Sequence, residues 1–231
     1  FILHGLLFKK VSEGYFLALF FFICHDLIGK ELTNLRFGTV CTIFIWGLYF
    51  LSLDKKKIAW FASVIASTSI HLISFITFFG YFFRVRLSYN LVFFLIFLSY
   101  LGSFLISPEY LISVLSILSD DNVIVNYLGD FHSASRGLDL RIIQMLFILT
   151  VYVLLNKFYK QQEQEISIFE NIIFNSLVLS IIFQVLFINV GIFSFRIGSM
   201  FASVEPLLLA ISIYRTKKIL YLILGLCYGL F

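Results

Sequence analysis

The chain has 231 residues, 61% of them hydrophobic and 13% charged, with 17 Lys and Arg against 13 Asp and Glu for a net charge of +4; its mean hydropathy is +1.00. Soluble domains carry about 25% charged residues, so this composition excludes a water-soluble globular protein, a disordered chain and a nucleic-acid binder. With 30 Phe and 2 Pro set in long Leu/Ile/Phe runs, and no polar/apolar alternation of the kind a membrane barrel needs, the chain reads as a set of membrane-spanning helices.

In chain order, residues 1–8 are apolar but far short of the roughly 20 residues that cross a bilayer. Apolar windows follow at about 14–29, 32–53, 58–83, 87–107, 141–159, 166–190 and 197–214, and a last apolar stretch starts at 219. Neither terminal stretch is long enough to span, and no initiator Met or signal-peptide pattern precedes the first; the sequence is therefore expected to be the interior or C-terminal part of a longer protein. Cys24, Cys41 and Cys227 all sit in apolar runs without metal-ligand spacing and read as small hydrophobes, packed or facing lipid. Residues 107–141 are too polar to span and too long for a turn. They form an expected extramembrane loop with structure of its own, opening with an amphipathic surface helix over 109–119.

Positive charge marks the cytoplasmic side of a membrane protein. If every window is a simple crossing, the Lys and Arg residues divide 8 against 9 between the faces, which is no bias. If instead the window 58–83 enters and leaves on one side as a re-entrant hairpin, bent near Ser67-Thr-Ser-Ile-His71, the division becomes 12 against 5. The hairpin is the better account of the charges, and the small polar residues around His71 supply hydrogen bonds for a broken backbone. It leaves Lys30, Arg36, Arg136, Arg141 and Arg196 on the outer face, with the acid-rich 107–141 loop. Four of those five are Arg, whose fixed fork of donors suits phosphate and carboxylate, and an anionic ligand is expected there. The expected fold is all-α: one polytopic transmembrane helix bundle over 1–231, with about six or seven spans, the re-entrant hairpin and the structured outer loop.

Arg36 and Arg196 each open an apolar helix on that outer face. Together they fit a pyrophosphate clamp; taken singly, each also fits snorkelling to lipid headgroups. Within residues 129–141 lie His132, Asp130, Asp139, Arg136 and Arg141. A histidine can take a proton near neutral pH, which makes His132 a candidate general base with Asp130 or Asp139 as orienter or substitute, beside the plainer reading of a solvated loop. His71 reads as a neutral, hydrogen-bonded residue at the bend. Glu205, ahead of Pro206, is the one carboxylate expected deep in an apolar helix; it needs a partner there, and the proline frees a carbonyl one turn back. No metal-ligand set, phosphate loop or serine-hydrolase motif occurs, and no metal or cofactor is expected.

Asn34-Leu-Arg36 at a helix start, the Lys55-Lys56-Lys57 turn, Ile70-His71-Leu-Ile-Ser in the following short segment, a long outer loop, Arg196 ahead of Met200-Phe201 and the basic turn from Arg215 to Lys218 resemble the EpsG/Wzy-type polysaccharide polymerases. The likeness extends over nearly the whole chain. It implies a metal-independent glycosyltransferase of the bacterial inner membrane, with a fold related to the GT-C class. Its substrates would be oligosaccharide repeat units carried on undecaprenyl pyrophosphate in the lipid bilayer, joined on the outer face, with a chain-length regulator as a further partner. On that resemblance Arg36 and Arg196 hold the departing pyrophosphate, His132 or Asp130 takes the acceptor proton, Arg136 or Arg141 orients acceptor or pyrophosphate, and Tyr110 and Tyr127 line the sugar path. A membrane acyltransferase acting on surface glycans and a lipid-linked glycan transporter or flippase are the alternatives; the transporter should show paired internal repeats, and the sequence has no clear one.

Overall fold

The structure, a computed structural model, describes residues 2–12, 14–24, 34–53, 56–107, 140–159 and 167–216. Every regular element among them is helical: α1 (Ile2–Val11), α2 (Tyr15–Phe22), α3 (Leu35–Ser52), α4 (Lys57–Ile70), a 3-10 helix (Leu72–Arg84), α5 (Tyr89–Ser103), α6 (Leu140–Tyr159), α7 (Ile168–Leu186), α8 (Gly191–Ala202) and α9 (Glu205–Thr216). Among the described residues four segments are long and apolar enough to cross a membrane: Leu35–Ser52, Leu140–Lys157, Ile168–Leu186 and Ser194–Tyr214. The chain is a multi-pass membrane protein built as a helical bundle. Phe75, Phe79, Phe82, Phe93, Phe94 and Phe97 are exposed, an apolar surface suited to lipid rather than to water.

Local sequence sets where helices start. The side chain of Asn34 accepts from Phe37 N at 3.2 Å, and Ser88 and Ser167 cap α5 and α7 by accepting from Leu91 N at 3.3 Å and Glu170 N at 3.1 Å. Each cap satisfies a backbone donor that the first helical turn leaves without a partner.

α7 is the central helix, packed on α3, α5, α6, α8, α9 and the 3-10 helix. Its face toward α8 is small and hydroxylated: Ser176 donates to Phe201 O at 2.9 Å and Ser180 to Gly198 O at 2.7 Å. Ser194 returns a bond to Gln184 O at 3.1 Å. The three bonds run in opposite residue order along the two helices, so α7 and α8 are antiparallel and close, as small interfacial residues permit. α6 is also antiparallel to α7, with Met145 beside Ser180 and Gln184, and Tyr152 stacked on Phe174 at 5.1 Å. α5 runs parallel to α7: Tyr89 meets Phe174, and the side chain of Asn189, just past the end of α7, donates to Ser103 O at 3.0 Å.

Two windows differ in form from simple helices. The one expected over 197–214 starts at Ser194 and is broken, because α8 stops at Ala202 and α9 begins at Glu205. Pro206 is the cause: it has no N–H for the carbonyl four residues back, that of Ala202, yet fits the first turn of a new helix. The window 58–83 folds back on itself at His71. Phe61 lies against Phe78 and Tyr81 at about 6 Å between ring centroids, and the indole of Trp60 is wedged between Gly47 and Gly80. A Cβ on Gly80 would come within 2.7 Å of Trp60 Cη2, and one on Gly47 within 2.3 Å of Ser63 Oγ, so both contacts require glycine. The returning strand of this hairpin is fastened by Asn175, whose Nδ2 donates to Phe83 O at 2.8 Å and to Val85 O at 2.6 Å.

Candidate functional site

The helix directions define two ends of the bundle. At the C-terminal end of α3, Lys10 lies over the ring of Tyr49 at 5.1 Å, Lys56 over Phe50 at 5.7 Å, and Phe169 of α7 meets Tyr49 at 6.1 Å. This end is rich in lysine. At the opposite end α3 begins with exposed Arg36. Phe37, next along α3, meets the half-buried imidazole of His71 edge-on at 6.3 Å between centroids, and the guanidinium of Arg196 lies close enough to His71 to act on its charge. α8 runs in the same direction as α3, with Phe201 against Phe44 at 5.4 Å, so Arg196, five residues earlier, sits toward the N-terminal end of α3.

Arg36, His71 and Arg196 therefore share one end of the bundle, supplied by the start of α3, the tip of the hairpin and the first half of α8. The C-terminal end of α5 and the N-terminal end of α6, which residues 108–139 connect, face the same way. Two guanidinium groups and an imidazole offer charge and directional donors to an anion, and phosphate oxygens match the planar fork of arginine.

Arg141 lies in the first turn of α6, also at this end, but is engaged inside the protein. Its Nη2 donates to Glu205 Oε1 at 3.0 Å and its Nη1 to the Gln144 side chain at 3.2 Å. The Glu205 side chain is 1% exposed and that of Arg141 16%. This is the partner that a carboxylate within an apolar span requires, and it reaches Glu205 from 64 residues away. His132, Asp130, Arg136, Asp139, Tyr110 and Tyr127 lie outside the described residues.

Glu205, expected from the sequence as the one carboxylate deep in an apolar helix, is not alone in being buried. Glu170 is buried too, at 2% exposure, and its Oε1 accepts from the Tyr152 hydroxyl at 2.7 Å. The guanidinium of Arg86 lies over the ring of Tyr89 at 5.3 Å and donates to its hydroxyl, and Arg86 and Tyr89 are both near enough to act on Tyr152. The available signal was Ser167-Ile-Phe-Glu170, a capping pattern that puts a carboxylate into a helix's first turn. This cluster ties α5, α6 and α7 at the end away from Arg36.

The EpsG family model matches residues 1–231. No curated protein and no solved structure matches the chain.

Proposed function

Because the chain belongs to the EpsG family, which ties it to polysaccharide biosynthesis at a membrane, we propose that it polymerises oligosaccharide repeat units carried on undecaprenyl pyrophosphate. The transfer takes place at the outer face of the bacterial inner membrane. The observation that carries the reading is that Arg36, His71 and Arg196 lie at the same end of the bundle, with the His71 ring against Phe37 of α3 and α8 beside α3 through Phe201 and Phe44. A substrate anchored in the bilayer brings its pyrophosphate to that rim without leaving the membrane.

In the reaction, a sugar hydroxyl of one lipid-linked repeat attacks the anomeric carbon of the growing chain. The new glycosidic C–O bond forms as the bond from the anomeric carbon to the pyrophosphate oxygen breaks, and the leaving oxygen keeps the electron pair. Arg36 and Arg196 stabilise the charge that develops on it. The hydroxyl proton passes to a base, for which His132 and Asp130 are the candidates, and Arg136 orients the acceptor or the pyrophosphate. Arg141, whose guanidinium also donates to Glu205 and Gln144, shares that orienting role with Arg136 as a candidate.

The test is substitution of Arg36 and Arg196 by Lys, which keeps the charge and removes the fork, in the full-length protein. The expected outcome is loss of long surface polymer with single repeats accumulating on the outer-face carrier. Undiminished long-chain polymer with both substitutions overturns the clamp. Full-length polymer lacking an acyl group would instead indicate an acyltransferase, and repeats trapped on the inner face a flippase.

A further inference from the structure

The returning strand of the hairpin is wound in a way its own sequence does not favour. Residues 72–84 form a 3-10 helix of 13 residues, where runs beyond three or four are uncommon. Burial repeats every third residue: Ser74, Thr77, Gly80 and Phe83 face the bundle. Phe75 and Phe78 stack with their planes 5° apart, the eclipsed geometry that three residues per turn imposes. An α winding of the same residues, at about 100° per residue, would instead collect Ser74, Thr77, Tyr81 and Arg84 on one face and Phe75, Phe78, Phe79 and Phe82 on another. That is the pattern of an amphipathic α-helix.

The 3-10 form is held by the fit of Gly80 against Trp60, while Asn175 on the carbonyls of Phe83 and Val85 anchors the far end of the segment. It also leaves two fully buried donors, Ser74 Oγ and Trp60 Nε1, without hydrogen-bond partners among the described residues, a cost that alternative packing can remove. The helix leading into the bend is yielding. Ser63, Ser67, Thr68 and Ser69 of α4 all bond back to carbonyls three or four residues earlier, an arrangement that weakens and bends helices.

We propose that residues 72–84 are a winding switch: a 3-10 helix in the state described here and an α-helix in a second state, the change in length carrying His71 along the bundle axis relative to Arg36 and Arg196. Rewinding 13 residues from about 2.0 to about 1.5 Å rise each shortens the segment by about 6 Å. With its far end fastened by Asn175, the shortening draws His71 away from the arginines. An anion on Arg36 and Arg196 favours the long form, in which His71 completes the site, and an empty site allows the short one; the ligand moves the equilibrium by its difference in affinity for the two forms. The proposal rests on the reading of these three residues as one anion site.

The experiment uses the full-length protein in lipid nanodiscs, with native cysteines replaced by alanine and spin labels at Ser69→Cys and Val85→Cys. Distances are measured by pulsed electron resonance, and binding of inorganic pyrophosphate by equilibrium dialysis on the same samples. Two populations about 6 Å apart are expected. Thr77→Ala, which raises helix propensity without adding bulk, shifts them to the short form, and Gly80→Ala, which also collides with Trp60 in the long form, does so more strongly. Pyrophosphate shifts them to the long form. One distance, unmoved by Thr77→Ala and by bound pyrophosphate, overturns the switch while leaving the anion site standing. Two distances that respond to Thr77→Ala, with no pyrophosphate binding, support the switch and remove the anion site.

Discussion

A charge buried in an apolar span is tolerable only while its partner stays, and the Arg141–Glu205 pair makes that measurable. Arg141→Met removes the charged partner of Glu205, which is 1% exposed, with an expected loss on the order of 3 kcal/mol. Glu205→Gln costs less, since Arg141 keeps Gln144 and some contact with water. The double variant Arg141→Met/Glu205→Gln should melt above the additive expectation of the two singles in detergent, followed by thermal shift of the folded fraction; strict additivity would show that the two charges are not coupled. The sequence singled out both residues for separate reasons, Glu205 as a carboxylate in need of a partner and Arg141 as an outer arginine. Nothing in the chain between them signals that each answers the other, because a pairing across 64 residues is made by tertiary packing. The burial of Glu170 is hidden in the sequence for a related reason: it stands at the start of an apolar window, where a carboxylate ordinarily meets water, and burial is decided by Tyr152 arriving from α6.

At the scale of elements, what the sequence makes legible is the local chemistry. Asn34 and Ser167 announce helix starts, and Pro206 announces trouble in the span that the chain resolves as a break at Ser203–Val204. What it hides is winding and close approach. The Phe-rich stretch 72–84 has an α-helical pattern, and its 3-10 form depends on the fit of Gly80 against Trp60 from α4. Gly198 likewise looks unremarkable until α7 is laid beside it: a Cβ there would fall 2.2 Å from Gln184 Cγ, too near to the backbone of α7 for the side chain to swing clear. Gly198→Ala is expected to destabilise the α7–α8 pair by about 1–3 kcal/mol, the usual cost of overpacking, and Gln184→Ala in the same chain should restore part of the loss by making room. Thermal melting of the three variants decides the matter, and a Gly198→Ala protein as stable as the parent would mean that the two helices separate at no cost. Because Arg196 sits two residues from Gly198, any such separation should also weaken whatever Arg196 binds.

Across the whole molecule, the fold-back at His71 and the orientation of the bundle are one question, since the charge bias exists only if both ends of the hairpin meet the same face. The contacts of Trp60 with Gly80 and of Phe61 with Phe78 and Tyr81 establish that the chain reverses; that the reversal returns it to the cytoplasmic side is the proposal. Cysteines placed singly at Lys9, Lys57 and Asn90 of the full-length protein, in a background without the native ones, should react with a membrane-impermeant maleimide only after the cytoplasmic face is opened. Those at Asn34 and Leu105, both exposed, should react from outside in intact spheroplasts. Labelling of Lys57 and Asn90 from opposite sides would make the segment a true crossing, return the Lys and Arg residues to an even division, and take α5, with the loop that follows it, to the other face. Arg36 and Arg196 would still lie at one end of the bundle, because α3 and α8 are held there by Phe44, Phe201 and α7 rather than by the hairpin. The site would then need a face assigned on other grounds, and polymer synthesis outside the cell would no longer follow from the distribution of charge.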